Sequence, residues 1–365
     1  MAPHNNDPSS TAGSYSADFN MSFHPPISSA LRASSNANSI YSINESSYSS
    51  SDSSMSIEDG DPIVRPLIPG VYVPTVCFFD PTTEELDTET ISSHAIRLAL
   101  AGVTGLATQG SNGEAVHLNH AERQTVTATT RAALASAGFS HLPIIVGCGA
   151  QSVRETVQYC REAFAAGGDY ALILPPSYYA PLFLPSSASV IEFFTAVADQ
   201  SPIPLLIYNY PGAVSGMDLS SDVIIHLSAH PNIVGAATKS PKPYSPASAP
   251  RFLVLGGSAD FTLQSLIGGG HGILAGLANI APKACIEMTR LFHEGQIGEA
   301  QKLQEVVARG DWAAIQGGVV STKAGMQSWL GYGGFGRAPL PHPTSDEMAK
   351  WKEGFRELLA LEKSL

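Results

Sequence analysis

Thr108-Gln109-Gly110-Ser111-Asn112-Gly113-Glu114 closes one short apolar run, and Tyr208-Asn209-Tyr210-Pro211-Gly212 closes another one hundred residues later. Each puts hydroxyls, amides and glycines where a buried strand ends. Polar strand ends that converge on one mouth are how a (β/α)8 barrel builds a site, because its functional groups sit on the loops at the C-terminal face of the strands. The fold therefore turns on whether the chain around these two stretches alternates strands with helices.

It does. Strand-like runs are expected at Val71–Phe78, Gly105–Gln109, Ile144–Gly147, Tyr170–Leu174, Leu205–Asn209, Asn232–Thr238, Phe252–Leu255 and Gly272–Ala275. Helix-like stretches lie between them at Glu89–Ala101, His120–Ala135, Ser152–Ala166, Ser187–Asp199, Ser220–Leu227 and Phe261–Ile267. Eight strands in alternation imply parallel pairing through right-handed crossovers, hence a closed barrel or an open doubly wound sheet. No GxGxxG follows the first strand and no P-loop occurs, so the nucleotide-binding open sheets lose support. The expected fold is an α/β (β/α)8 TIM barrel.

After the eighth strand the pattern turns helical, over Lys283–Glu294, Glu299–Arg309 and Ala313–Leu330. A Gly/Pro-rich link then leads to a last helix, for which Thr344 and Glu347 have capping-box spacing. One crossover is irregular. Twelve residues separate Lys239 from Phe252, and four are proline: Pro241, Pro243, Pro246 and Pro250. Proline removes a hydrogen bond and clashes inside a helix, so the sixth barrel helix is expected to be missing.

Residues 1–60 are of another kind. Nineteen are serine, and Arg32 is the one basic Lys or Arg side chain. Such a segment buries too little apolar surface to offset its chain entropy, so it reads as a disordered tail. Asp7, Asp18, Glu45, Asp52, Glu58 and Asp59 argue against an Arg-rich, acid-poor mitochondrial presequence. The expected division is a tail over 1–62, a barrel over 63–295 and a helical extension over 296–365. The formal charge of -12 excludes a nucleic-acid partner, which needs a basic face. No apolar run approaches the roughly 20 residues of a membrane span. Cys77, Cys148, Cys160 and Cys285 lack CxxC spacing and read as reduced thiols of a cytoplasmic protein.

The residues at these strand ends also resemble a known family. GSNGEAVHL (110–118), YNYPG (208–212), NIVG (232–235), GGSADF (256–261) and GGGHGILAGLANIAP (268–282) stand in the order and rough spacing of the dihydrodipicolinate synthase / N-acetylneuraminate lyase family. The resemblance runs from about residue 69 to residue 327. The Ser-Asn loop and the opening GVYVPTVCFFD (70–80) are nearest its 4-hydroxy-2-oxoglutarate aldolase-like and fungal deoxy-hexulosonate aldolase branch.

The resemblance implies a class I aldolase that needs neither cofactor nor metal. A lysine ending strand six forms a Schiff base with a pyruvate-like 2-oxo acid, and the protonated imine serves as an electron sink for cleaving or forming a carbon–carbon bond with an aldehyde. It implies that Ser111 and Asn112 bind the carboxylate, with Gly113 in the same loop and Gly257 facing the substrate. It implies that Tyr208 relays protons. Tyr179, with Tyr178 as competitor, matches a position that reaches a neighbouring subunit's site, so the partner is a second copy in a dimer or tetramer. The family lysine falls two residues after the glycine of NIVG, where this chain has Ala237. Lys239 lies on the same strand face, about 6.6 Å further along, and is the candidate among the chain's eight lysines.

Read without the family, the same residues serve other ends. The 110–114 loop leaving strand two is expected to enter a helix whose N-terminus favours an anion, yet it would equally make a turn and N-cap. Tyr208 would fit as an amphipathic core residue, and Gly257 as turn geometry. Glu114, His117 and His120 read as a helix N-terminal turn, since a zinc site needs three or four converging ligands. A chain that keeps the carboxylate pocket without a placed lysine would be a catalytically silent homologue, or the product of a faulty gene model.

Overall fold

A computed structural model of the protein describes residues 65–183, 186–238 and 252–365. The expected tail, Lys239 and the proline-rich link with its missing helix lie outside the described residues.

Eight parallel strands close into a barrel in chain order. They are β1 (Gly70–Pro74), β2 (Gly105–Thr108), β3 (Ile144–Gly147), β4 (Tyr170–Ile173), β5 (Leu205–Asn209), β6 (Ile233–Thr238), β7 (Leu253–Gly256) and β8 (Gly272–Leu274). β8 returns to β1 with Gly70 opposite Gly272. Between them run α1 (Thr88–Leu100), α2 (His120–Ser136), α3 (Val153–Ala165), the single turn α4 (Ala180–Phe183), α5 (Ala188–Gln200), α6 (Ser221–Leu227) and α7 (Thr262–Ile267). After β8 come α8 (Pro282–His293), α9 (Ile297–Leu330), α10 (Ser345–Gly354) and α11 (Arg356–Ser364).

The first strand stops at Pro74, four residues short of the expected end. Thr75 still donates its N–H to Ala107, but Val76 turns away to the Asn279 side chain. Side chains seed several helices: Asp87 accepts from Thr90 N, Ser152 from Glu155 N and Ser220 from Val223 N. Asn119 with Glu122, and Thr344 with Glu347, form full capping boxes.

Strand residues alternate between two cores. Tyr72, Ala107, Ile145, Leu172, Leu206, Ala237, Leu255 and Leu274 fill the barrel interior, so the centre is packed side chain rather than a pore. The opposite faces pack on the surrounding helices in one larger cluster. α10 packs on α9, and α11 on both α8 and α9. Between them Phe355 is fully buried, a contact of about 1.5–3 kcal/mol.

α9 differs from expectation. It runs through residues 310–312, where two helices were expected to be separated, and breaks instead at Gly318. Gly318 has φ 57° and ψ −134°, a combination that side-chain-bearing residues avoid. Among the described residues, no helix is long and apolar enough to cross a membrane.

Candidate active site at the barrel mouth

The two polar strand ends meet. Ser111 and Asn112, after β2, and Tyr208 and Tyr210, at the end of β5, line one cavity of about 370 Å³. Gly257 and Ser258 after β7, Gly276 after β8, and Asp311, Ile315 and Thr322 from α9 complete its wall. A second cavity, also about 370 Å³, shares Gly110, Ser111, Leu172, Tyr208, Val319 and Leu340 with the first and extends past Arg123 and His117. The Ser111–Tyr208 pair thus stands between two lobes of one mouth. Volumes of this size suit a small molecule.

Tyr208 pairs with Ala237 across β5 and β6. Burial pushes its phenol up to about 12, against the opposing pull of a hydrogen bond with Ser111. The phenol therefore stays protonated through the neutral range. The Tyr210 ring lies 5.7 Å away, tilted.

The 109–114 loop does not lead straight into α2, contrary to expectation. Gln109 and Glu114 both have positive φ, and a 3₁₀ turn at Ala115–His117 intervenes. The N-terminus of α2 is closed by its own Asn119 and Glu122. The loop is held from its sides instead. Gln109 donates its amide to Thr127 Oγ1 at 2.7 Å. Gly113 packs against the backbone of Gln109 and Thr75 and lines neither cavity, so its part is to let the loop fold tightly. Gly276 makes room for Asn112: a Cβ there would stand 2.3 Å from the Asn112 amide nitrogen.

Gly257 reaches the cavity, but its N–H is already given to Thr238 O at 2.7 Å. Lys239, the next residue after Thr238, lies outside the described residues. Ala237, at the family's lysine position, is fully buried in the barrel interior opposite Tyr208. Tyr179 lines neither cavity and is 61% exposed, edge to face with Tyr178 at 5.0 Å.

The Glu114, His117, His120 trio does not converge. His117 Nδ1 lies 3.1 Å from Glu114, whereas His120 turns to Glu155 at 2.9 Å and Glu162 at 2.8 Å.

Three participants escape sequence reasoning. Glu114 accepts from Lys323 Nζ at 2.7 Å and from Arg337 N at 2.9 Å. Lys323 also donates to Phe335 O at 2.7 Å, and both charged side chains are 1% exposed. Burial lowers the Lys323 pKa while Glu114 opposes the shift. Arg123 gives its two terminal nitrogens to Gly147 O at 2.9 Å and Ala115 O at 2.7 Å. Asp311 draws Ser258 Oγ, Ala259 N and Asp260 N onto Oδ2 at 2.7, 2.8 and 2.9 Å. Burial raises its pKa, and those three donors pull the other way. Nothing within a few residues of Lys323 or Asp311 marks them, since their partners arrive from remote parts of the chain.

A closed parallel barrel with a polar cavity at the C-terminal ends of its strands is the architecture of a (β/α)8 enzyme scaffold. The family model described as "Dihydrodipicolinate synthetase family" matches residues 68–351, and the chain belongs to that family. It is 53% identical to "Probable 4-hydroxy-2-oxoglutarate aldolase, mitochondrial" of Emericella nidulans, over 82% of this chain and 98% of that protein. It is 46% identical to "L-threo-3-deoxy-hexylosonate aldolase" of Aspergillus niger, over 82% and 98% of the two chains. A crystal structure of a dihydrodipicolinate synthase family protein from Coccidioides immitis aligns with a TM-score of 0.73 at 30% identity, covering 83% of this chain and all of that one.

Proposed function

We propose that the protein is a class I aldolase acting on a 2-oxo acid such as 4-hydroxy-2-oxoglutarate or a 2-keto-3-deoxy sugar acid. The observation that carries this reading is the meeting of Ser111, Asn112 and Tyr208 on one cavity, in a chain 53% and 46% identical to proteins named as such aldolases.

In the proposed reaction the Lys239 amine adds to the 2-oxo carbon and water leaves, giving an iminium. The bond between the third and fourth carbons then breaks, and its electron pair moves into the enamine. Tyr208 accepts the proton of the fourth-carbon hydroxyl as its own proton passes to Ser111 and the Ser111 hydroxyl proton passes to water at the mouth, so the fourth carbon departs as an aldehyde. Protonation of the third carbon and hydrolysis release pyruvate and free the lysine. Ser111 and Asn112 hold the carboxylate, Gly113 sets their loop, and Gly257 lines the opposite wall. Lys323 is an unsuitable nucleophile, since it is 1% exposed and bound to Glu114.

Tyr179 is assigned to a neighbouring subunit's mouth in a homo-oligomer. Its exposure supports this, together with that of Tyr178 and Leu182 at 78% and 74%. The division into tail 1–62, barrel 63–295 and helical extension 296–365 belongs to the same proposal. So does a cytoplasmic location, which the acidic residues of the tail favour although the Emericella relative is named mitochondrial. Fractionation of the expressed full chain decides that point.

Borohydride reduction in the presence of pyruvate tests the covalent step. A stable adduct on the Lys239 peptide is expected, with activity untouched by EDTA. Pyruvate binding without any adduct would leave the silent-homologue reading. Loss of activity on chelation, again without adduct, would mean a metal-dependent aldolase.

A further inference from the structure

We propose that the Asp311 side of the mouth selects a neutral, hydroxyl-bearing aldehyde as second reactant and disfavours a carboxylated one, with Asp311 accepting hydrogen bonds from the aldehyde's hydroxyls. The inference rests on the aldolase reading of the same cavity and adds the class of aldehyde.

Asp311 is 3% exposed, yet it lines the cavity that holds Ser111, Asn112 and Tyr208. Its three protein donors all converge on Oδ2. Oδ1 has no protein donor among the described residues, so it remains available to a ligand. Asp311 lines the cavity while its donors are all on Oδ2, so we assign Oδ1 to the ligand side, where a substrate hydroxyl would donate to it. Ser258 and Thr322 line the same wall with their hydroxyl protons already given to Asp311 Oδ2 and Gly318 O, so toward a ligand they too can only accept.

The charge points the same way. Among the described residues, no Lys, Arg or His lines this cavity. Asp260, next to Asp311, adds a second negative group that acts on it. On the Asp311 side a carboxylate on the aldehyde would face like charge with no cation among the described lining residues to pair with, which a partly desolvated site disfavours. The basic side chains of the mouth, Arg123 and His117, line the adjoining lobe and not the Asp311 side, and the terminal nitrogens of Arg123 are held by Gly147 O and Ala115 O. The retro-aldol products separate accordingly. Glyoxylate, from a five-carbon dicarboxylic substrate, carries a carboxylate. Glyceraldehyde, from a six-carbon 3-deoxy-2-oxo acid, carries hydroxyls.

The test is condensation kinetics of the full chain with pyruvate and either glyceraldehyde or glyoxylate, for wild type and Asp311→Asn. Asparagine keeps the shape and an acceptor but removes the charge. Wild type is expected to favour glyceraldehyde by about tenfold or more in kcat/KM, as sites built to bond a substrate hydroxyl do. Asp311→Asn should reduce that preference by about tenfold, through KM for the aldehyde, with KM for pyruvate unchanged. A wild-type preference for glyoxylate overturns the inference and needs no variant to show it. Equal losses for both aldehydes in Asp311→Asn overturn it too, leaving Asp311 as a clasp on the loop after β7. Condensation with neither aldehyde sinks the aldolase reading itself, and the inference with it.

Discussion

Tyr208 shows how one side chain takes two constraints at once. It is packed against the barrel interior, where burial pushes its phenol up to about 12, and it bonds to Ser111, the partner through which the proposed reaction would pass its proton. Its hydroxyl is the only part Tyr208→Phe removes, so the fold should hold while turnover falls by roughly 10²–10⁴. Steady-state rates on the cleaved 2-oxo acid measure this. Turnover within about twofold of wild type, far short of that range, would return Tyr208 to the core. Because its phenol titrates so high, no fall in rate from tyrosine ionisation is expected below pH 10. The place of Tyr208, Ser111 and Asn112 on the mouth was legible in the sequence because Tyr208 lies at the end of β5 and the other two on the polar loop that follows β2. Gly113 was legible as a loop residue but not as a spacer. Asp311 was not legible at all, since its meaning comes from Ser258, Ala259 and Asp260, more than fifty positions away, and mid-helix aspartates usually face water.

At the scale of elements, α9 does what the strand pattern could not foretell. It lies across the mouth, breaks at Gly318, and sends residues from both sides of the break into the cavity wall. The buried Lys323–Glu114 pair fixes its second half to the loop after β2, and Arg337 adds a backbone N–H to the same carboxylate. Lys323 also stands 4.8 Å from the centre of the Phe79 ring. Lys323→Met should leave Glu114 buried without its cation, a loss of about 3–5 kcal/mol. Urea denaturation should record it, and Lys323→Met with Glu114→Gln should recover a large part, since no orphaned charge then remains. A single-variant loss under about 1 kcal/mol, the range of exposed pairs, would show that water already reaches this pair. The sequence placed a helix here but split it at 310–312. Through the earlier position the helix is packed closely, Gly310 against Leu358 and Gly317 against Trp351, contacts that no local propensity reports.

The whole barrel closes where β8 meets β1, and a buried polar network holds that seam. Alternation of strands and helices made the closed barrel legible, since parallel strands must be joined by crossovers. The seam was illegible, because it depends on residues that only the closed fold brings together. Asn279 accepts from Val76 N at 3.2 Å and donates to Pro74 O and Gly276 O, both at 2.9 Å, so it ties the end of β1 to the turn after β8. His94, from α1, lies 3.0 Å from Asn279 Oδ1 through Nε2 and 3.0 Å from the Tyr332 hydroxyl through Nδ1. A neutral imidazole with its proton on Nε2 satisfies both contacts, and burial together with Arg97 pushes His94 down to about 3. In the unfolded chain histidine titrates near 6.5. Between those values the unfolded state binds more protons, so stability falls as pH drops from about 6.5 and levels off below about 3. The full shift corresponds to on the order of 4–5 kcal/mol, a large part of the 5–15 kcal/mol typical of a folded protein. Asp311 and Glu362, whose carboxyls burial raises, oppose this trend over the carboxylate range. The contribution of His94 is therefore read as a difference between variants. Urea midpoints of wild type should fall from pH 7 to pH 4.5 more steeply than those of His94→Gln, which bonds as a neutral amide and does not titrate. Parallel slopes for the two proteins would mean that the seam opens to water before His94 is protonated.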